Sequence, residues 1–273
     1  MCGIFGYSFK HGKLSAARRA VLATNLARYN DERGGDSWGV CGINQEGPHV
    51  SRGLGDLSDS AYELCEYNTL FAHTRSASVG DVTIKNAHPF KFGNILGAHN
   101  GRIYNNEEIA AKYGRKYPVD SMHIFAHLNE NRSLEELVGR GTIEWINIKD
   151  PKTVYLCKFH EGELAVYGVG EDEDKPDGIV WSSSYRHLMK SLYCAGIHDF
   201  FRYEVRRGNV YAVRPGEFSE EGIKLEVTKF EPKPQQNEEG PVSDEAGAAP
   251  FRKKEDNGFR VTRPLRDVND FRM

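Results

Sequence analysis

Met1-Cys2-Gly3-Ile4-Phe5-Gly6-Tyr7 opens the chain. A cysteine directly behind the initiator methionine has an unusual chemical option. Cys2 is small enough for the methionine to be removed. The chain then begins with a residue carrying both a thiol and a free α-amine. That amine has a reference pKa of about 7.7–8.0, so much of it is neutral near pH 7. One residue can then supply nucleophile and base together. The apolar run behind it reads as a buried strand over residues 2–9, with Gly3 and Gly6 permitting close backbone approach.

Working outward, residues 15–30 read as a helix with Ser15 as N-cap and Val21, Leu22 and Leu26 on one face. Arg33-Gly34-Gly35-Asp36-Ser37-Trp38-Gly39 is a Gly-rich turn into a strand at 40–43. Residues 56–67 read as helical and 76–90 as loop. Two apolar strands end in polar clusters, Ala72-His73-Thr74-Arg75 and Ala98-His99-Asn100-Gly101, which suggests that their ends meet at one site. Helices are expected at 106–113 and 121–128, the second with Asp120 placed to cap it, and a further helical piece at 133–140. From 141 the pattern turns β-rich: 142–148, 153–159, 164–169, 178–182, 201–205, 209–213 and 224–227. A short helix follows at 183–192, and hairpin turns are expected at 161–163 and 207–208.

The chain of 273 residues suffices for one large domain or two small ones. Its 39% hydrophobic and 27% charged content is that of a globular protein, and a net charge of −3 gives no electrostatic reason to expect nucleic-acid binding. No run approaches the ~18 apolar residues of a membrane span, and no signal peptide is evident. Cys2, Cys41, Cys65, Cys157 and Cys194 are odd in number and scattered, which points to a reduced, cytoplasmic protein. Cys41, Cys157 and Cys194 read as small buried fillers. His123 and His127 have a metal-ligand spacing but lack the glutamate of His-Glu-x-x-His, so no metal and no cofactor is expected. Residues 231–250 have a linker composition. Residues 251–273 carry Arg252, Lys253, Lys254, Arg260, Arg263, Arg266 and Arg272, a basic tail that either docks or is simply solvated.

These polar clusters, in this order, resemble the class II glutamine amidotransferases, which are N-terminal nucleophile hydrolases. The resemblance covers roughly residues 2–230. Cys2-Gly3-Ile4-Phe5-Gly6 is similar to the family's start, and residues 33–39 to its Arg-Gly-x-Asp-Ser-x-Gly turn. His73-Thr74-Arg75, Asn86-Ala87-His88-Pro89-Phe90, His99-Asn100-Gly101 and Val119-Asp120-Ser121 recur in the family's order. Trp181-Ser182-Ser183-Ser184 resembles its Ser-Glu-x-x-x-Leu segment, with Ser183 in place of the Glu. The glucosamine-6-phosphate-forming relatives have a Trp after the Arg, where this chain has Ser76.

The resemblance implies an α+β fold, a four-layer α/β/β/α sandwich of two stacked antiparallel sheets. It implies hydrolysis of the side-chain amide of L-glutamine to glutamate and ammonia. Cys2 is then the nucleophile, and the Asn100 side chain and Gly101 N–H are the oxyanion donors. Arg75 and Asp120 hold the α-carboxylate and α-ammonium of glutamine, and Ser78 adds a hydrogen bond. Arg33 and His73 organise the site from behind, while His88 and His99 read as structural. Family members usually carry a synthetase on the same chain. About 40 residues after 230 are too few for a second catalytic core, so a separate ammonia-accepting synthetase is expected as partner. Two other readings stay open: an N-terminal cysteine hydrolase of another linear amide, and a non-catalytic glutamine-binding module.

Overall fold

The computed structural model describes residues 2–78, 80–159 and 161–214, and the strand backbones of 225–229 and 261–262. The linker at 231–250 and nearly all of the basic tail lie outside the described residues.

Two antiparallel sheets form the centre. The larger runs, edge to edge, β14 (Val261–Thr262), β11 (Phe200–Tyr203), β9 (Ala165–Val169), β10 (Gly178–Ser182), β1 (Gly3–Phe9), β4 (Thr69–Arg75), β2 (Ser37–Asn44) and β3 (Gly47–Leu54). The smaller runs β13 (Leu225–Lys229), β12 (Asn209–Val213), β8 (Asp150–Lys158), β7 (Gly139–Asn147), β6 (Ile95–Ile103) and β5 (Phe90–Phe92). β1 is central, pairing Gly3 with Thr74 on one side and Phe5 with Ser182 on the other.

The alternation of side chains along β1 explains the layering. Phe5, Tyr7 and Phe9 face outward and pack with Leu22 and Leu26 of α1 (Ala16–Asp31) and Leu188 and Leu192 of α4 (Tyr185–Cys194). Ile4 faces inward, into a core shared with Phe71, Leu96, Ala98, Ile146, Leu156 and Trp181 between the sheets. Gly6 leaves room for the Trp181 ring, which would stand 2.3 Å from a Cβ there. On the far face of the small sheet, Ile103, Ile143 and Trp145 pack against Ile109 of α2 (Asn106–Tyr113) and Phe125 of α3 (Met122–Asn129). The result is the expected four layers, helices–sheet–sheet–helices.

Several local expectations are corrected. Ser15 does cap α1, accepting from Arg18 N, but Val21 is exposed; the buried face is Leu22, Ala23, Leu26, Ala27 and Asn30. Residues 133–140 hold only a single tight turn, Leu134–Glu136, before β7 begins. The turns at 161–163 and 207–208 are not hairpins. Each joins strands in different sheets, β8 to β9 and β11 to β12. The α3 N-cap is Ser121, and the Asp120 carboxylate is used elsewhere. β3 and β5 were not expected as strands. Cys41 and Cys157 are buried as expected, but Cys194 is exposed.

Candidate active site

Cys2 stands at the head of β1, beside the end of β4. Gly3 makes this junction possible: a Cβ there would lie 2.4 Å from Asn30 Oδ1 and 2.8 Å from Thr74 Oγ1. Asn30 is fully buried, and its carbonyl accepts from Thr74 Oγ1 at 2.8 Å, so α1 and β4 grip the strand start together. The half-buried Cys2 thiol meets the backbone of Ser76. Ser76 N–H donates to Sγ at 3.3 Å, and Sγ lies 3.4 Å from the Ser76 carbonyl. Burial pushes the thiol's pKa up. The Ser76 backbone contact, the N-terminal charge, Arg75 and Arg33 pull in the other direction without overcoming it. On balance the neutral thiol is favoured over the thiolate.

The Gly-rich turn at 33–39 is the platform under the loop after Arg75. A Cβ on Gly34 would sit 2.6 Å from the Arg75 carbonyl carbon and 2.7 Å from Ser76 N. Asp36 N–H donates to the Arg75 carbonyl at 3.0 Å, and its carboxylate accepts from Ala77 N at 2.7 Å. Gly39 leaves room for the His88 carbonyl, which would be 1.7 Å from a Cβ. Arg75 is buried, its guanidinium donating to the Asp81 carbonyl at 3.0 Å and the Gly80 carbonyl at 3.3 Å. Asn86 Nδ2 donates to the same Asp81 carbonyl at 3.0 Å, which draws the loop over the arginine. Ser78 stands exposed on that loop.

The end of β6 reaches the same place through Ser183. Asn100 Nδ2 donates to Ser183 Oγ at 2.9 Å. The same hydroxyl oxygen accepts from Ile4 N at 2.9 Å, and Ser183 N–H donates to the Ile4 carbonyl at 2.8 Å. Arg33 Nη1 donates to the Ser183 carbonyl at 2.5 Å. Burial lowers the pKa of Arg33, opposed by the charges of Glu163 and Cys2. Ser183 stands where the family pattern has a Glu, and the nearby charge of Glu163 acts on Arg33. Glu163 accepts from Tyr185 N at the head of α4. Gly101 is needed because a Cβ would lie 2.0 Å from the Arg140 carbonyl oxygen.

Asp120 is buried and accepts from Ile103 N at 2.7 Å, beyond the end of the Asn100-Gly101 pair. His99 bridges Ser121 Oγ at 2.9 Å and the Arg140 carbonyl at 3.1 Å. The carbonyl can only accept, so Nε2 carries the proton and Nδ1 accepts from Ser121. Burial lowers the His99 pKa against the pull of Asp120. His73 is fully buried and held neutral, its pKa pushed down to about 3 by burial and then by His99 and Arg75. Its ring lies 4.0 Å from that of His88, also kept neutral by burial.

Cys2, Arg33, Arg75 and Asn100 are thus joined through Ser76 and Ser183. Asp120 enters through Ile103 and His99, and His73 packs behind them. Sequence reasoning did not give Ser183 a role. Its signal was the very departure from the pattern, a small hydroxyl directly after a strand.

The chain is 30% identical over 215 residues to glutamine–fructose-6-phosphate aminotransferase (isomerizing) of Vibrio parahaemolyticus, covering 69% of this chain and 34% of that one. It is 24% identical over 260 residues to amidophosphoribosyltransferase of Methanocaldococcus jannaschii, covering 85% of this chain and 51% of that one. The chain belongs to the class II glutamine amidotransferases. Its fold agrees: glutamine phosphoribosylpyrophosphate amidotransferase from B. subtilis superposes with a TM-score of 0.59 at 17% identity, over 82% of this chain and 49% of that one. No protein-family model matches. This amidotransferase chain spans between about a third and a half of the length of these two curated relatives. Among the described residues, no helix is long and apolar enough to cross a membrane.

Proposed function

We propose that this chain is a glutaminase unit that hydrolyses the side-chain amide of L-glutamine through an N-terminal Cys2. Removal of Met1 frees the α-amine. Sγ attacks the amide carbon while the amine takes the thiol proton, and the carbonyl oxygen becomes an oxyanion. Asn100 Nδ2–H and Gly101 N–H donate to that oxyanion. The C–N bond then breaks, the amine returns its proton to the leaving nitrogen, and ammonia departs. Water, activated by the same amine, attacks the thioester and releases glutamate.

Arg75 holds the substrate carboxylate. A guanidinium has five N–H donors, so contacts to loop carbonyls and to a carboxylate are compatible. Asp120 holds the α-ammonium, Ser78 adds a hydrogen bond from the loop, and Arg33 and His73 support the site from behind. A zwitterion pairing with both charges discriminates against amides that lack either one. We read the ammonia acceptor as a synthetase outside the described residues. A separate protein is the form of it that copurification tests.

What carries this reading is the Ser183 bridge, which ties the donor Asn100 to the strand that bears Cys2, two residues from the thiol. The test is glutamate release from L-glutamine by the purified chain beside Cys2→Ala, with Met1 removal checked by intact mass. Activity that vanishes in the variant supports the proposal. A processed chain that neither binds nor cleaves glutamine, yet cleaves acyl amides without an α-amine, overturns it.

A further inference from the structure

We infer that Ser183 is the positioning residue of the oxyanion hole: its hydroxyl sets the orientation of the Asn100 amide relative to the Cys2 strand. This rests on the glutaminase reading above and adds a residue to it.

The geometry is specific. The Ser183 hydroxyl oxygen has two lone pairs, and two donors approach it, Ile4 N–H and Asn100 Nδ2–H, each at 2.9 Å. Ile4 lies in β1, two residues after the nucleophile. Ser183 N–H also donates to the Ile4 carbonyl at 2.8 Å, so Ser183 continues the ladder between β10 and β1 past Ser182. Its own carbonyl is fixed by Arg33. The hydroxyl therefore cannot swing without breaking a chain of bonds that ends at Cys2.

Asn100 Nδ2 carries two N–H bonds about 120° apart in the amide plane. With one spent on Ser183, the direction of the other is set. That second bond is the donor the oxyanion needs. An amide free to rotate about χ2 would offer its carbonyl oxygen to the oxyanion part of the time, which repels. Ser183 is 1% exposed, so bulk water does not replace a lost hydroxyl easily.

Because this donor acts on the oxyanion and not on the ground-state amino acid, the effect should appear in kcat. Ser183→Ala is expected to lower kcat for L-glutamine by about tenfold or more, up to the ~10²–10³ of losing one oxyanion donor outright, with KM moved less than about threefold. Affinity for the γ-aldehyde of glutamate, whose tetrahedral hemithioacetal with Cys2 places its oxygen where the oxyanion would sit, should fall in parallel, while affinity for L-glutamate holds. Ser183→Cys leaves no cavity and weakens the acceptor, so it should show the same split even where the alanine variant folds poorly. Ser183→Thr, which retains the hydroxyl, should restore kcat. In a cycle with Asn100→Ala, the double variant should be no slower than Asn100→Ala alone.

An effect confined to KM, equal losses of aldehyde and glutamate affinity, or additive losses in the cycle each overturn the inference. A wild-type chain that turns over glutamine while Ser183→Ala and Ser183→Cys both match it removes this inference alone. A processed wild type with no action on glutamine removes the underlying reading as well.

Discussion

Glu144 gives a sharp test of the interior between the two sheets. It lies on β7, opposite Ala98 of β6, and is fully buried. One carboxyl oxygen accepts from Trp181 Nε1 at 2.8 Å, and the other has no hydrogen-bond partner among the described residues. Burial raises its pKa well above the usual 4.5, and the Trp181 bond lowers it only in part. The folded state therefore keeps a proton that the unfolded chain gives up. For a group raised on folding, the stability is fully present below the unfolded pKa and is lost as pH rises toward the folded one. The loss is about 1.4 kcal/mol per pH unit, or about 2.7 kcal/mol over two units, while pH stays between the two values. Glu144→Gln keeps the shape and an oxygen for Trp181 and has nothing to titrate. The variant and wild type should be compared by urea unfolding at several pH values from 5 to 8. The difference in ΔG should grow in favour of the variant as pH rises, with that slope. Titrations of other groups cancel in the difference. A pH-independent difference would refute a buried, protonated Glu144. Glu144→Ala should instead cost about 1–3 kcal/mol at every pH for the abandoned Trp181 N–H, in addition to the cavity.

Three further outcomes follow from the same geometry. Gly39→Ala puts a Cβ 1.7 Å from the His88 carbonyl oxygen, a backbone atom that cannot rotate aside, so a loss of about 3 kcal/mol or more is expected in chemical unfolding; a loss under about 1 kcal/mol contradicts the close approach. His73 has its pKa depressed to about 3, so its contribution is present above the unfolded value of about 6.5 and is lost as pH falls toward 3. The stability of wild type relative to His73→Gln should drop by about 1.4 kcal/mol per pH unit across that window, and a flat difference means the imidazole is not held neutral. Arg75→Lys loses the guanidinium fork, and KM for glutamine should rise about tenfold or more, as for a charged hydrogen bond of about 1.5–3 kcal/mol; an unchanged KM rules Arg75 out as the carboxylate grip.

The parts of this chain that could be read in advance are those whose signal is local. β1 is apolar at consecutive positions because both of its faces are covered, and that run is visible without any partner. The strand ends at Arg75 and Asn100 were legible because apolar residues give way abruptly to polar ones. β3 was not, since it is an edge strand whose Val50 and Leu54 are exposed and carry no alternation. The segment 133–140 imitated a helix because Leu134 and Leu137 are buried three residues apart, which a single tight turn also produces. The turns at 161–163 and 207–208 have hairpin composition, but composition does not say which strand comes next to which. β8 is already flanked by β7 and β12, so the chain must leave for the other sheet.

The site was legible as a set of residue types and not as a wiring diagram, and the electrostatics show why the wiring matters. Arg75 is a buried cation whose charge acts on two buried imidazoles, His73 and His88, which His99 adjoins. A proton on His73 or His88 would repel Arg75, and all three rings are held neutral chiefly by burial. For His73 and His88 the arginine's own charge adds to the effect. The coupling is reciprocal: neutral rings add no further positive charge to the Arg75 and Arg33 guanidiniums that already act on Cys2. Those histidines therefore act on Arg75 only indirectly, through the charge they do not carry. Ser183 works in the same indirect way, through Asn100. In both cases the sequence could flag the position but not the wiring, because neutrality and orientation arise only when the two sheets close over each other.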